Sequence, residues 1–126
     1  MTILLASADD NLIASAQHAF AQTSSSFVVA RGGLDCLEGV RRQVPDLVIL
    51  DEYLPWGGVD GVLAILEQCG EAWIAETPIL LLTDRPQPFP TRLLRVFPFA
   101  RPSCRRKLAE VIEMFESESV APARTA

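Results

Sequence analysis

The sequence predicts an α/β domain with a doubly wound, five-stranded parallel sheet. Short apolar runs alternate along the chain with segments whose apolar residues recur every three or four positions, which indicates strands alternating with helices. The strand runs are uncharged and about four residues long, as is typical of strands buried on both faces. With 126 residues, 49% of them apolar, the chain matches the size and composition of a single globular domain.

Four runs predict strands clearly and a fifth does so weakly. The clear runs are residues 3–6, 27–30, 47–50 and 79–82. The weak run is 97–100, in which Pro98 cannot donate to a strand ladder and therefore indicates an edge strand or a bulge.

Helices are predicted between these strands and after the last one. Asp10 or Asn11 can cap the first, which has Leu12, Ala16 and Phe20 on one face. The other helices are predicted over 34–43, 59–69 and 104–117.

The segment before the fifth strand differs in composition. Pro86, Pro88 and Pro90 exclude a helix before about residue 90, and 91–96 leaves room for two turns at most. The domain is predicted to cover residues 1–117, with a flexible tail over 118–126, where apolar periodicity is lost.

Composition excludes several classes of protein. The sequence contains no run of about 18 apolar residues, the length that would predict a membrane span. Its first ten residues lack the basic start of a signal peptide. Cys36, Cys69 and Cys104 are odd in number and far apart, so they predict neither a disulfide framework nor a zinc site, and a reducing cytoplasmic location is expected.

Charge is distributed unevenly. The net charge of −5 argues against bulk nucleic-acid binding. The segment Arg85–Lys107 nevertheless holds seven basic residues and no acidic one. It is either a contact surface for an acidic partner or a solvated face.

Acidic side chains follow the first and third predicted strands. Asp9 and Asp10 follow one, Asp51 follows the other, and Thr83 ends the fourth strand. If the first and third strands are neighbours, the three carboxylates converge where ligands bind in such sheets. Close carboxylates repel, so the pattern predicts a cation, and oxygen ligands suit Mg²⁺. A carboxylate there can also act as a nucleophile toward a phosphoryl group.

These motifs, in this order on these strands, resemble a response-regulator receiver domain over nearly the whole chain. The resemblance implies a flavodoxin-like fold with strand order 2-1-3-4-5. It also implies that Asp51 is the phosphoacceptor and Thr83 the switch hydroxyl. The implied Mg²⁺ ligands are Asp9, Asp10, Asp51 and the backbone carbonyl of Tyr53.

The function implied is that of a stand-alone receiver in the cytoplasm, a signalling domain rather than an enzyme. It would take a phosphoryl group from a sensor histidine kinase or phosphotransfer protein and signal by contact with a downstream protein. No nucleic acid or membrane is expected as a partner.

The sequence also departs from the family pattern. Arg101 stands where the family has a lysine, and arginine differs in reach and donor geometry. Asp84 replaces a small residue, and the stretch from Thr83 to Arg101 is shortened where the fourth helix belongs. These departures keep an alternative open, a pseudo-receiver that binds proteins without phosphorylation. A small flavin- or nucleotide-binding enzyme is a weaker alternative, because no glycine-rich phosphate-binding motif is present.

Overall fold

A computed structural model of the chain describes residues 2–21, 26–55, 58–69, 71–84 and 93–101. Five parallel strands form one sheet in the order β2-β1-β3-β4-β5. The strands are β1 (Thr2–Ala6), β2 (Ser26–Ala30), β3 (Leu47–Asp51), β4 (Pro78–Thr83) and β5 (Arg95–Ala100). The predicted fold class and strand order are thus confirmed.

Four helices are described between these strands. They are α1 (Asp10–Phe20), α2 (Gly33–Gln43), α3 (Gly58–Cys69) and the short α4 (Ala72–Glu76). The second and third begin one residue before the prediction. The predicted cap of the first, Asp10 or Asn11, is wrong, because the side chain of Asp9 accepts the free N–H groups of Asn11 and Leu12 and α1 therefore begins at Asp10. The short α4 is not predicted from the sequence, because its five residues offer a single buried apolar position, Ile74, and no helical periodicity.

The core lies on both faces of the sheet. Alternate residues of β1, β3 and β4 point to opposite sides, so Leu4, Val48 and Leu81 share one cluster while Leu5, Ile49 and Leu80 share the other. The first cluster is closed by α2, α3 and α4, and the second by Leu12, Ile13, Ala16 and Phe20 of α1. Burial on both faces explains why these three strands are continuous apolar runs.

The fifth strand lies at the edge of the sheet, as Pro98 predicts. It starts at Arg95, two residues earlier than expected, so the last two positions of the possible 91–96 helix belong to the strand instead. Pairing of Pro78 with Arg95 and of Ile79 with Val96 accounts for the difference, and it continues with Phe97 and Phe99. Both phenylalanines pack on the second core cluster.

Several sequence predictions fall outside the described residues. They are the three prolines at 86, 88 and 90, the helix 104–117 and the tail 118–126. No described helix is both long and apolar enough to span a membrane.

Candidate functional site

The carboxylate of Asp51 lies at the carboxyl end of β3 and is only 1% exposed. Its Oδ1 accepts hydrogen bonds from the Tyr53 backbone N–H at 3.2 Å and from Arg101 Nε at 2.9 Å. Its Oδ2 accepts from Ser7 Oγ at 2.7 Å and from Arg101 Nη2 at 3.1 Å. Each oxygen therefore has two donors, which is what a buried carboxylate requires.

Arg101 is positioned by the end of the neighbouring strand. It follows β5 directly, and its backbone N–H donates to the Thr83 carbonyl oxygen at 3.0 Å, which extends the β4–β5 pairing by one step. Its guanidinium binds Asp51 through Nε and Nη2, the two-pronged geometry that arginine favours with carboxylates. The hydrogen bond to Asp51 is the main cause that raises the pKa of Arg101, whose guanidinium is in any case permanently charged in proteins.

The same guanidinium also reaches Asp9. Arg101 Nη2 lies 3.1 Å from Asp9 Oδ2, while Asp9 Oδ1 accepts from the N–H groups of Asn11 and Leu12 and caps α1. Partial burial raises the pKa of the Asp9 carboxyl, but the bonds from Leu12 and Arg101 outweigh it, so the net shift is downward. One arginine thus bridges two carboxylates from different elements.

Asp10 lies apart from these two carboxylates. It is the first residue of α1, its side chain is 82% exposed, and its Oδ1 binds Arg31 Nη1 at 2.8 Å at the rim of the site. Of the three predicted acidic ligands, the structure therefore brings together only Asp9 and Asp51. The reason is the start of α1, because Asp9 is its N-cap with an extended backbone whereas Asp10 is its first helical residue, so the two side chains leave the backbone in different directions.

The predicted Mg²⁺ ligands do not fit the ion in this arrangement. Within the described ranges, no group of three or more His, Cys, Asp and Glu side chains could hold a metal ion. The oxygens of Asp9 and Asp51 that face each other are both bound to Arg101. Mg²⁺ needs near-octahedral oxygen coordination, for which a guanidinium in the same place leaves no room.

Tyr53 lies over the site from outside. Its ring centroid is 5.0 Å from the Arg101 guanidinium carbon, a cation–π contact, and its hydroxyl donates to the Asp84 carboxylate. The hydrogen bond to Asp84 is the main cause that raises the pKa of the Tyr53 phenol. The acid at position 84, which departs from the family pattern, therefore fixes a tyrosine beside the buried pair.

Thr83, the predicted switch hydroxyl, is the last residue of β4 and is buried. It pairs with Ala100 of β5, so it lies one strand away from Asp51 at the same edge of the sheet. The structure thus places Thr83, Asp51 and Arg101 on adjoining strand ends, as the sequence analysis expected from their order.

Ser7 is the site residue that the sequence analysis missed. Ala6 of β1 pairs with Leu50 of β3, so the residues that follow, Ser7 and Asp51, lie side by side. Ser7 is fully buried, and its Oγ also accepts the Asp9 backbone N–H at 3.0 Å. The available signal is its position directly after the apolar run, two residues before the acidic pair.

The arrangement is a buried carboxylate held by a fixed cation, with a hydroxyl at the end of each neighbouring strand. Such a carboxylate has the chemistry of a nucleophile, and such a cation can neutralise a developing phosphoryl charge. Attack would require one Asp51 oxygen to leave its Arg101 donor, because both oxygens are bound.

Sequence comparison and structure comparison give different results. No family model matches the chain, and no curated protein matches it significantly. Solved structures do match over nearly the full length.

The signal receiver domain of an HD domain-containing protein from Pseudomonas fluorescens Pf-5 is 18% identical, with a TM-score of 0.73 over 99% of this chain and 98% of that one. The phosphorylated cyanobacterial phytochrome response regulator RcpA is 17% identical, with a TM-score of 0.73 over 96% and 94%. The Mn²⁺-bound response regulator Rcp1 is 18% identical, with a TM-score of 0.70 over 95% and 96%. The chain therefore has the fold of response-regulator receiver domains.

Proposed function

We propose that this chain is a receiver-type signalling domain in which Asp51 accepts a phosphoryl group. The observation that carries the proposal is the placement of Asp51 on a receiver fold. It is a buried carboxylate at the carboxyl edge of the sheet, with Thr83 and Arg101 on the adjoining strand ends.

The proposed step is a displacement at phosphorus. An Asp51 oxygen attacks the phosphorus, the bond to the donor breaks, and its electron pair leaves with the donor group. Arg101 first releases that oxygen and then donates to the oxygens of the transferred phosphoryl group, a role for which its charge and planar fork suit it. The Thr83 hydroxyl contacts another phosphoryl oxygen. No metal takes part in this scheme, because the donor set around Asp51 does not fit Mg²⁺.

The proposed phosphoryl donor is a sensor histidine kinase or a phosphotransfer protein, and the output is contact with another protein. The basic segment Arg85–Lys107 remains the proposed contact surface. Two of the seven basic residues of this segment, Arg95 and Arg101, are described, and only Arg95 is available for contact with a partner. Arg95 reaches the Glu76 carbonyl at 3.0 Å and lies over Phe97, whereas Arg101 is engaged in the site. Reversing Arg92, Arg95 and Arg105 to Glu is expected to slow association with the partner, and added salt is expected to slow association of the wild type in the same way.

A second function, phosphorylation-independent protein binding, is favoured by one specific observation. All four hydrogen bonds that Asp51 accepts come from groups of the chain itself, and its side chain is 1% exposed. A carboxylate so held serves as a structural anchor without any further reaction.

Mass spectrometry after exposure to acetyl phosphate distinguishes the two functions. The wild type is expected to gain the mass of one phosphoryl group, and Asp51→Asn to gain none while keeping its circular dichroism spectrum. Asp35→Asn is the matched control, since it removes an exposed carboxylate in the first turn of α2. An unlabelled wild type under conditions that label a known receiver would leave the binding module as the function. Label persisting on Asp51→Asn would show that another residue is the acceptor.

A further inference from the structure

We propose that the Arg101 guanidinium is a built-in counter-cation that takes the place of a divalent metal ion between Asp9 and Asp51. The folded site then needs no metal, and it excludes one until Arg101 is removed. This inference does not depend on whether Asp51 is phosphorylated.

The charges around the site are the first argument. Asp9 and Asp51 approach the same point from different elements, and Arg101 Nη2 lies 3.1 Å from Asp9 Oδ2 and 3.1 Å from Asp51 Oδ2. Two carboxylates that close together repel each other unless a cation lies between them. In this molecule the cation is a side chain.

The oxygens available are the second argument. Each carboxylate oxygen of Asp51 accepts two hydrogen bonds. In Asp9, Oδ1 caps α1 and Oδ2 binds Arg101. A metal ion would have to displace the arginine from both carboxylates, and it would then lie beside another positive charge. A third carboxylate cannot offset this loss, because Asp10 is bound to Arg31 at the exposed rim.

The fixed position of Arg101 is the third argument. Its backbone is bonded to Thr83 at the end of the sheet, its guanidinium packs against the Tyr53 ring, and its side chain is 22% exposed. Tyr53 is in turn bonded to Asp84. The cation is thus held from the backbone side and from the ring side, unlike a surface arginine free to move away.

The test measures Mn²⁺ binding, with Mn²⁺ used as a paramagnetic probe of divalent cation sites. Wild type, Arg101→Gln and Arg31→Gln are titrated with Mn²⁺ while amide NMR signals near Asp51 are followed. We expect no site-specific broadening in wild type or in Arg31→Gln, which keeps the inner arginine. Arg101→Gln leaves two uncompensated carboxylates, so we expect Mn²⁺ to broaden the signals of residues 52–54 and to bind at least tenfold more tightly than in wild type.

Arg101→Lys is the second variant. A lysine keeps a cation but lacks the planar fork that bridges Asp9 and Asp51, so this variant should bind Mn²⁺ more tightly than wild type and less tightly than Arg101→Gln. If Arg101→Gln folds only when Mn²⁺ is added, that dependence supports the proposal directly. Two results would overturn it: wild type that binds Mn²⁺ at Asp51 as tightly as Arg101→Gln, or a folded Arg101→Gln that binds no Mn²⁺. Wild type that binds Mn²⁺ at Asp51 would also overturn the metal-free form of the phosphoryl transfer proposed above, whereas labelling of Asp51 by acetyl phosphate is a separate measurement and judges the phosphoacceptor function by itself.

Discussion

Two arginine–aspartate pairs lie at the same edge of the sheet, and they differ in almost everything except chemistry. The inner pair joins Arg101 to Asp51 through two hydrogen bonds, with side chains 22% and 1% exposed. The outer pair joins Arg31 to Asp10 through one contact of 2.8 Å, with side chains 58% and 82% exposed. The inner pair also connects to Ser7, Tyr53 and Asp9, whereas the outer contact is an isolated one between the described side chains.

The difference shows what surroundings do to the same two groups. Water screens the outer pair and competes for its hydrogen bonds, so pairs of this kind contribute little to stability. The inner carboxylate has lost its water, so its remaining partners decide whether its charge is tolerated. Removing one partner of the inner pair therefore leaves a buried charge without a counter-charge. Removing one partner of the outer pair only leaves the other charge in solvent.

The largest effect is expected from Arg101→Gln, measured by urea unfolding in the presence of EDTA. Asp51 loses its counter-charge while it stays buried, and we expect the free energy of unfolding to fall by about 2–3 kcal/mol. This is below the cost of removing a partner from a fully buried pair, because water reaches one side of Arg101. Arg31→Gln in the outer pair is the control and should change it by less than about 0.5 kcal/mol. Equal losses in both variants would contradict the distinction between the pairs.

Ser7→Ala sharpens the comparison by removing a neutral member of the inner network. The Ser7 hydroxyl donates to Asp51 Oδ2 and accepts from the Asp9 backbone N–H, so both partners lose a bond inside the protein. We expect a loss of about 1–2 kcal/mol of unfolding free energy. Ser26→Ala, at the exposed first residue of β2, supplies the control. A stability change near zero would mean that water takes the place of the hydroxyl.

Asp9 belongs to both the helix cap and the inner pair, and two variants separate these roles. Asp9→Asn keeps an oxygen for the cap but loses the charge that faces Arg101, whereas Asp9→Ala loses both. Loss of the cap costs about 1 kcal/mol. We therefore expect Asp9→Ala to be less stable than Asp9→Asn by about that amount.

The wild type should also show the charge of Asp9 in its pH dependence. The pKa of Asp9 is lowered below its ordinary value of 3.8 in the folded state. Its contribution is therefore fully present above the unfolded pKa and is lost as pH falls through the folded pKa. The free energy of unfolding, measured from neutral pH into the acid range, should therefore fall more gradually in Asp9→Asn than in wild type. Parallel curves would show that the Asp9 charge is not stabilising.

The sequence predicts the sheet of this molecule more completely than it predicts the site. Burial on both faces makes β1, β3 and β4 continuous apolar runs that are visible in the sequence, and the order of strands follows from the resemblance to receivers. The short α4 and the early start of β5 at Arg95 depend on tertiary packing and edge pairing, which have no local pattern.

At the site, the sequence predicts positions but not partners. Asp51, Thr83 and Arg101 lie where their strands end, so topology alone brings them together. Which acid turns inward depends on the first turn of α1, where Asp9 caps the helix and Asp10 binds Arg31 instead.

Two further features of the site depend on the folded geometry. The role of Ser7 becomes visible only when the strand register places it beside Asp51, because a serine after an apolar run does not by itself predict a site residue. The arginine in place of lysine is visible as a departure from the family pattern, but its bridge between two carboxylates is a property of the three-dimensional arrangement.

The smallest effect is expected from the outer pair itself, measured as a double-mutant cycle over Asp10→Asn and Arg31→Gln. The two groups are in direct contact at 2.8 Å but both are exposed to water, so we expect a coupling energy below about 0.5 kcal/mol at low salt. The Debye length shortens from about 10 Å at 0.1 M to about 3 Å at 1 M ionic strength, so the coupling should fall toward zero as salt is added. The same cycle over Ser7→Ala and Arg101→Gln, whose groups meet at one buried Asp51 oxygen, should keep most of its coupling at 1 M salt. If the outer coupling survives high salt while the inner one disappears, exposure is not what separates the two pairs.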